Sequence, residues 1–376
     1  MNEDQGQRPV RVAMVTNIPA PYRLPVYERL VAQPGIELCV FFCSGREPDR
    51  EWDLQGGGFQ QVFLSEKFIT YRGRYIHCNP DAWSALKRFA PDVVITTGFN
   101  PTFLVAYAFA RWHGLRHIPM TDGTLVSESA TLSGVHRFIR RVVYRGSQAF
   151  IGASEGSLAL YRSYDVGGGQ GQALFQSHLC ANNVAYAPRP WSEKTFDFVF
   201  SARFVALKQP LFAMDVAQQV ARRLGRPVRL LLLGSGPLQA EMQARADGMR
   251  GEVDVVFAGF VKQAALPGHY ASAKLLLFPT TFDPWGVVAN EACAAGLPVL
   301  VSDVAGVAGD LVVDGVNGRV LPLEQDAWVD AAVALLSDPA LYARQAAASV
   351  ERVARFDYGH AAQGIRDAVW WAMGRR

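Results

Sequence analysis

The segment from Phe278 to Asp303 constrains the fold more than any other part of the chain. It begins at the end of an apolar run, Lys274 to Phe278, that predicts a buried strand. A polar loop follows, and a run of small residues then predicts a helix from about Gly286 to Ala295. Val299 to Ser302 predicts a second strand. This strand–loop–helix–strand unit is the building block of a doubly wound α/β domain with a parallel sheet.

Two acids and a helix start give this unit its candidate chemistry. Asp283 lies in the loop, and Glu291 follows eight positions later, in the second helical turn. The backbone N–H groups of Gly286, Val287 and Val288 would point outward from the helix N-terminus, which favours an anion. A carboxylate at Glu291 suits vicinal sugar hydroxyls, because it can accept two hydrogen bonds from them. The segment therefore predicts a site for a nucleotide sugar.

Any doubly wound domain contains such units, so the upstream segments matter. Phe196 to Ser201 predicts a strand, and Arg203 and Lys208 follow it, before a helix that begins at Pro210. Ligands in open α/β sheets bind beyond the carboxyl ends of the strands. Two cations at that edge would neutralise a diphosphate leaving group as its charge develops. The alternative for Lys208 is a solvated lysine at a helix start.

A glycine-containing turn follows the next strand. The run from Val228 ends at Gly234-Ser235-Gly236-Pro237, where Gly234 allows a close backbone approach and Pro237 is expected to open a helix. The third glycine of the dinucleotide-binding fingerprint is missing, so this turn is not that fingerprint.

Together these segments resemble the signature of the retaining family 4 (group 1) glycosyltransferases of GT-B fold, over about Phe196 to Leu323. That family has a loop acid and a helix Glu at the spacing seen here, and an Arg and a Lys after the first strand of its C-terminal domain. Asp283 replaces the usual loop Glu, and Gln209 replaces the Gly that usually follows the Lys. The resemblance also implies that Gly234 lies near the donor and that Val261 contacts the nucleotide base through its backbone.

The resemblance implies an α/β GT-B fold with two Rossmann-like, doubly wound parallel-sheet domains that face a central cleft. We expect an acceptor-side domain at 1–188, a nucleotide-sugar-binding domain at 189–355, and a C-terminal helix at 356–376 that crosses back to the first domain. The alternation of strands and helices in the first half agrees with this expectation. Its predicted strands are Val10 to Thr16, Ile36 to Phe42, Asp92 to Thr97, His117 to Met120 and Gln148 to Gly152.

Members of this family bind the acceptor mainly in the first domain, which directs attention to two loops. Tyr22 and Arg23 end a proline-rich loop after the first strand. They would face the acceptor, unless the loop is only a rigid entry to the next helix. Asp122 follows a later strand and is the candidate for a hydrogen bond with an acceptor hydroxyl. The alternative is a turn-forming Asp before Gly123.

Composition bounds the partners and the compartment. A chain of 376 residues with a net charge of +3 predicts two globular domains and no nucleic-acid partner. The polar N-terminus and the lack of a long apolar run predict a cytoplasmic protein without a membrane span. The five cysteines have no metal-site spacing and are expected to be reduced and buried.

One helix favours peripheral contact with the inner face of the membrane. Gly134 to Arg145 carries Arg137, Arg140, Arg141 and Arg145 at helical spacing, among apolar residues. Such a helix suits an anionic membrane surface. A helix that packs on the sheet with a solvated arginine face has the same pattern.

The resemblance implies a retaining, metal-independent hexosyltransferase that uses a nucleoside diphosphate sugar and no further cofactor. Its acceptor would be a hydroxyl of a glycan, lipid-linked as in many relatives, in cell-surface polysaccharide or lipopolysaccharide synthesis. Arg203, Lys208 and Asp283 would be catalytic, with Asp283 on the sugar hydroxyls, and Glu291 would bind the ribose. Two alternatives remain: a nucleotide-sugar 2-epimerase of the same architecture, and a non-catalytic protein that binds sugar nucleotides.

Overall fold

A computed structural model describes residues 8–45, 57–71, 74–126, 133–167, 171–181 and 184–375. The chain forms two units, one made of Met1–Leu179 with Tyr358–Arg376 and the other of Cys180–Asp357. The sequence predicts domain boundaries at 188/189 and 355/356. In the structure, the chain passes from one unit to the other after Leu179 and after Asp357.

The first unit contains a parallel seven-stranded sheet with the order β3-β2-β1-β6-β7-β8-β9. Ala13 and Met14 of the inner strand β1 point to opposite faces of the sheet, and both are fully buried because helices cover both faces. A separate antiparallel hairpin, β4-β5, precedes β6. The strands are β1 Val10–Thr16, β2 Ile36–Phe42, β3 Gln60–Phe63, β4 Phe68–Tyr71, β5 Arg74–His77, β6 Val93–Thr96, β7 Arg116–Thr121, β8 Ala149–Gly152 and β9 Ala173–Gln176.

The C-terminal helix, Tyr358–Ala372, belongs to this first unit and packs on α1 and on β7 to β9. Ala361, Ile365 and Ala368 are its buried positions. The Trp370 ring lies against Gly35, and Trp371 Nε1 donates to the Gly171 carbonyl at 3.3 Å. The return of this helix to the first domain is confirmed. The other described helices are α1 Leu24–Val31, α2 Ala82–Phe89, α3 Pro101–Trp112, α4 Gly134–Arg145 and α5 Glu155–Arg162.

The second unit contains a parallel six-stranded sheet with the order β12-β11-β10-β13-β14-β15. The strands are β10 Phe196–Ser201, β11 Val228–Leu233, β12 Val253–Gly259, β13 Ala273–Phe278, β14 Val299–Ser302 and β15 Gly318–Leu321. The helices are α6 Pro210–Leu224, α7 Gln239–Asp247, α8 Leu266–Ala271, α9 Val287–Ala294, α10 Gln325–Ser337 and α11 Pro339–Val353. The 3₁₀ turns are Trp191–Glu193, Ala206–Lys208 and Gln263–Ala265.

The core of the second unit lies between its sheet and the flanking helices. Phe198, Leu230 and Leu275, from three neighbouring strands, are fully buried together with Met214 of α6 and Trp328 of α10. Burial of apolar side chains on both faces is typical of parallel sheets, and it predicts the continuous apolar runs that the sequence shows. The α/β class with two mostly parallel sheets is confirmed.

The structure corrects two expectations. Pro237 does not open a helix, and α7 begins at Gln239. The Leu238 N–H donates to the Phe204 carbonyl at 3.1 Å, which holds the chain in a turn before the helix starts. Four cysteines are buried, but Cys78 is exposed because it follows the β4-β5 hairpin rather than lying in a core strand.

Across the described part of the chain, no helix is long and apolar enough to span a bilayer.

Candidate active site

The loops that follow β10, β11 and β12 meet at the carboxyl edge of the second sheet. Parallel strands all end at that edge, so their loops are neighbours. The Phe204 N–H donates to the Ser235 carbonyl at 2.8 Å, and the Gly234 N–H donates to the Gly259 carbonyl at 2.8 Å. These bonds fix the loop of Arg203, whose side chain is exposed, and the loop of Val261, which is partly buried.

Gly234 is fixed by backbone crowding. Its φ is +137°, and a Cβ there would lie 2.0 Å from the Ala202 carbonyl oxygen. Only glycine fits between these two loops. This packing requirement is sufficient to explain the residue, and its place near the donor stays a prediction.

The structure brings Lys208 and Asp283 together. The Leu207 carbonyl accepts hydrogen bonds from the Thr281 N–H at 2.9 Å and from Thr280 Oγ1 at 3.1 Å, which joins the turn after β10 to the loop after β13. Lys208 Nζ then donates to Asp283 Oδ2 at 2.6 Å. Their side chains are 17% and 18% exposed, so the pair is largely shielded but reaches the surface of the loop.

Asp283 is held from three sides. Its Oδ1 accepts a hydrogen bond from the Trp285 N–H at 3.1 Å, and its backbone carbonyl accepts one from the Gly306 N–H at 2.9 Å. Lys208 binds the other carboxylate oxygen. A carboxylate with both oxygens engaged keeps further lone pairs for sugar hydroxyls, but it is a weakened nucleophile.

Gln209 stands where the glycosyltransferase family that the sequence resembles usually has glycine. It adopts the left-handed conformation, with φ of 53° and ψ of 47°, just before α6. Glycine enters this region without strain, whereas another residue costs about 1–2 kcal/mol. The turn that carries Lys208 therefore holds a non-glycine residue in the left-handed region, at some cost in stability.

The start of α9 carries the residues that the sequence assigns to an anion site, and anion binding there stays a prediction. Gly286 precedes the helix with φ of +106°, and a Cβ there would lie 2.2 Å from the Phe278 ring. Val287 and Val288 are partly exposed at the first turn. In the described residues, no carbonyl accepts a hydrogen bond from their N–H groups. Two backbone donors at the positive end of a helix therefore lie in the loop region that also holds Asp283.

Glu291 lies on the same helix but makes a contact that the sequence does not reveal. Only 4% of it is exposed, and its Oε2 accepts a hydrogen bond from the Tyr270 hydroxyl at 2.8 Å. Burial, together with the negative charge of Glu291, raises the pKa of Tyr270 well above its ordinary value. The phenol therefore stays protonated and acts as the donor, which fixes the orientation of the carboxylate.

No sequence motif predicts the contact of Tyr270 with Glu291, because Tyr270 lies in the short helix α8 and reaches Glu291 only through packing.

We predict that Tyr270→Phe weakens nucleoside diphosphate binding about three- to tenfold, the range for loss of one hydrogen bond. Calorimetric titration measures this change. In a Glu291→Gln background the same substitution should have a smaller effect, because the carboxylate that it orients is gone. Additive effects of the two substitutions would reject this positioning role.

In the first unit, the three predicted acceptor-side residues line one cavity of about 200 Å³ at the carboxyl ends of β1, β6 and β7. Tyr22 is partly buried, and Asp122 is exposed. The Arg23 guanidinium donates to the Ser177 carbonyl at 3.3 Å and to the His178 carbonyl at 3.5 Å, so it anchors the start of α1. The structure therefore places the three residues together, and their contact with an acceptor stays a prediction.

His117, which lies in β7, has a structural role. His117 is buried, and its ring nitrogens contact Thr96 Oγ1 at 3.1 Å and Ser147 Oγ at 2.7 Å. Burial lowers the pKa of His117 to about 3, so the ring is neutral. The described residues contain no group of three or more His, Cys, Asp or Glu side chains that could hold a metal ion.

Comparisons with known sequences match part of the chain. Residues 186–352 match the family described as Glycosyl transferases group 1. A D-inositol 3-phosphate glycosyltransferase from Nocardia farcinica is 34% identical over 190 residues, which are 46% of this chain and 42% of that protein. An alpha-D-kanosaminyltransferase from Streptomyces kanamyceticus is 29% identical over 150 residues, 39% of this chain and 38% of that protein. The chain therefore spans about two fifths of the length of these relatives.

Comparisons with solved structures concern the whole fold. HepE from Anabaena, in complex with UDP and glucose, aligns with a TM-score of 0.69 and 16% identity, over 96% of this chain and 99% of that one. The lipopolysaccharide outer core galactosyltransferase WaaB aligns with the same TM-score, identity and coverage. These likenesses confirm the GT-B fold. The chain thus has the GT-B fold, and its residues 186–352 carry the group 1 glycosyl transferase family segment.

Proposed function

We propose that this protein is a retaining family 4 glycosyltransferase that moves a hexose from a nucleoside diphosphate sugar to a hydroxyl group of a glycan. The observation that carries the proposal is the Lys208–Asp283 pair at 2.6 Å, beside the start of α9 and inside the matched family segment. A cation, the two N–H groups at the start of α9 and a carboxylate supply what a sugar diphosphate needs: countercharge for the phosphates and acceptors for the hydroxyls.

The proposal assigns one role to each site residue. Arg203 and Lys208 stabilise the departing diphosphate together with the N–H groups of Val287 and Val288. Asp283 accepts hydrogen bonds from the donor sugar, and Glu291 accepts them from the nucleotide ribose. The structures of HepE hold UDP, which makes uridine diphosphate the first nucleotide to test.

The family resemblance is the ground for proposing retention, and the state of Asp283 argues against a route through a covalent intermediate. Its two carboxylate oxygens are engaged by Lys208 and by the Trp285 N–H, so it is a poor nucleophile for a covalent intermediate. We therefore propose attack on the same face. The bond from the sugar anomeric carbon to the diphosphate breaks, the acceptor oxygen bonds to that carbon, and the acceptor proton moves to the leaving phosphate oxygen. Protein cations supply the electrostatic stabilisation, so no divalent metal is required.

The acceptor and the place of action are part of the same proposal. The first unit's cavity at Tyr22, Arg23 and Asp122 would receive the acceptor hydroxyl. The WaaB likeness and the basic helix α4 support a lipid-linked glycan, made for cell-surface polysaccharide or lipopolysaccharide. The enzyme would then work in the cytoplasm, with peripheral contact at the inner face of the membrane.

A donor panel tests this function. The purified protein is incubated with several nucleotide sugars in the absence of acceptor, with and without EDTA. We expect slow release of nucleoside diphosphate from one donor, unchanged by EDTA. Epimerised donor would indicate a nucleotide-sugar 2-epimerase instead, and binding without release of nucleotide would indicate a non-catalytic protein. Activity that EDTA abolishes and Mn²⁺ or Mg²⁺ restores would overturn the metal-independent mechanism.

A further inference from the structure

The first unit contains a second pocket, of about 910 Å³, at the edge of its sheet where β8 and β9 begin. The pocket lies between the last turn of α4 and the end of α5. The cavity at Asp122 lies at the opposite, carboxyl edge of the same sheet. The proposed sugar transfer therefore makes no use of this second pocket.

The lining of the pocket is basic. Arg141 and Arg145 reach it from α4, and neither forms an ion pair with any described carboxylate. Arg162 also lines the pocket, but it pairs with Glu155. Asp165 is the one acid among the lining residues and likewise forms no ion pair in the described part of the chain. Two guanidinium groups that pair with no carboxylate of the described residues favour an anionic ligand, because each presents a planar fork of donors.

The same helix exposes an apolar stripe beside these arginines. Val135, Phe138 and Val142 are 67%, 66% and 45% exposed. Their spacing of three and four places them on one face of α4. Arg141 and Arg145 each lie three positions after a member of the stripe, so the basic and apolar surfaces are adjacent.

The opposite face of α4 fixes this orientation. Arg140, Val143 and Tyr144 are buried. Val143 and Tyr144 pack in one cluster with Phe150 of β8, and the Arg140 guanidinium lies over the Phe99 ring at 4.5 Å from its centre. Arg140 is therefore buried, although its helical spacing in the sequence groups it with the exposed arginines of α4. Packing of this face directs the apolar stripe and the other arginines outward.

We propose that the pocket binds the phosphate of an anionic phospholipid head group while the stripe enters the membrane interface. This inference deepens the peripheral contact proposed above and names its site. An apolar stripe next to a basic one is the pattern of helices that lie in the interface of anionic membranes. A free phosphate would use the two arginines but would give no role to the exposed Phe138.

Vesicle sedimentation of the whole protein tests the site. We expect binding to vesicles in which about a third of the lipid is phosphatidylglycerol and little binding to pure phosphatidylcholine. The double variant Arg141→Gln/Arg145→Gln should bind about 10- to 30-fold more weakly, since each arginine near an anionic surface contributes about fivefold. Phe138→Ser should also weaken binding, and inorganic phosphate at millimolar concentration should not compete fully.

The matched control is Arg29→Gln/Arg88→Gln, which removes the same charge from exposed arginines of the first unit outside the pocket. If the two double variants lost vesicle binding equally, the pocket would not be the binding site, and the loss would reflect only the lower positive charge of the protein. Absence of binding by the unaltered protein, full competition by inorganic phosphate or an unchanged Phe138→Ser would overturn the membrane assignment.

Asp165 offers a change in the opposite direction. It adopts the left-handed conformation with φ of 60°, which Asn tolerates well, so Asp165→Asn keeps the backbone and removes a negative charge. This variant should bind the anionic vesicles severalfold more tightly, and weaker binding would count against the site.

The pocket variants should keep their nucleotide affinity. Loss of vesicle binding with intact nucleotide binding therefore separates this inference from the proposed sugar transfer.

Discussion

Lys208→Ala should lower turnover at saturating donor by about 30- to 1,000-fold, or about 2–4 kcal/mol of transition-state stabilisation. Lys208 already holds a carboxylate partner in the structure, Asp283, at 2.6 Å. As the bond to the diphosphate breaks, negative charge grows on the phosphate. The Lys208 ammonium group is then attracted more strongly to the phosphate than to the Asp283 carboxylate that it binds in the free protein. Turnover measured at saturating donor isolates this step from donor binding.

Two control variants distinguish the cation from the ion pair. Lys208→Arg keeps the charge and should retain a larger part of the activity. Asp283→Asn breaks the same pair but leaves the ammonium group in place, so it should not weaken binding of the nucleoside diphosphate. Near wild-type turnover of Lys208→Ala would remove this residue from the site. Weaker nucleoside diphosphate binding by Asp283→Asn would reduce the pair to a structural contact.

Glu291→Gln should weaken nucleoside diphosphate binding by about 1–3 kcal/mol, which is about 5- to 150-fold in the dissociation constant. The substitution keeps the size of the side chain and one oxygen for the Tyr270 hydroxyl, which donates at 2.8 Å. What it removes is the charge that strengthens hydrogen bonds from the ribose hydroxyls. Thermal unfolding of the variant checks that the buried position tolerates the amide.

The sequence predicts much of this site because the site lies on strand ends. The strand that ends at Ser201 and the helix that begins at Pro210 are found as predicted, and they place Lys208 at the carboxyl edge of the sheet. Asp283 follows a second strand of the same sheet. Parallel strands share that edge, so the sequence places both residues at it, but the pairing of β10 with β13 that brings them into contact is known only from the structure.

Contacts that depend on the packing of one helix against another could not be predicted in this way. Tyr270 meets Glu291 because α8 and α9 lie against each other, and neither helix carries a pattern that names its partner residue. Arg140 is a similar case. Helical spacing groups it with the other arginines of α4, but only the packing of that helix shows that Arg140 faces the sheet and that Arg141 faces solvent.

We assign the donor sugar to Asp283 and the nucleotide ribose to Glu291, and calorimetric titration of Asp283→Asn and Glu291→Gln with uridine diphosphate tests this assignment. We expect Glu291→Gln to lose affinity for the nucleotide. Asp283→Asn should keep that affinity but lose turnover with the intact donor, because it is assigned to the sugar. Lost affinity in Asp283→Asn with full affinity in Glu291→Gln would show that the roles are exchanged. Unchanged binding and turnover in both variants would contradict the assignment of this loop and helix to the donor site.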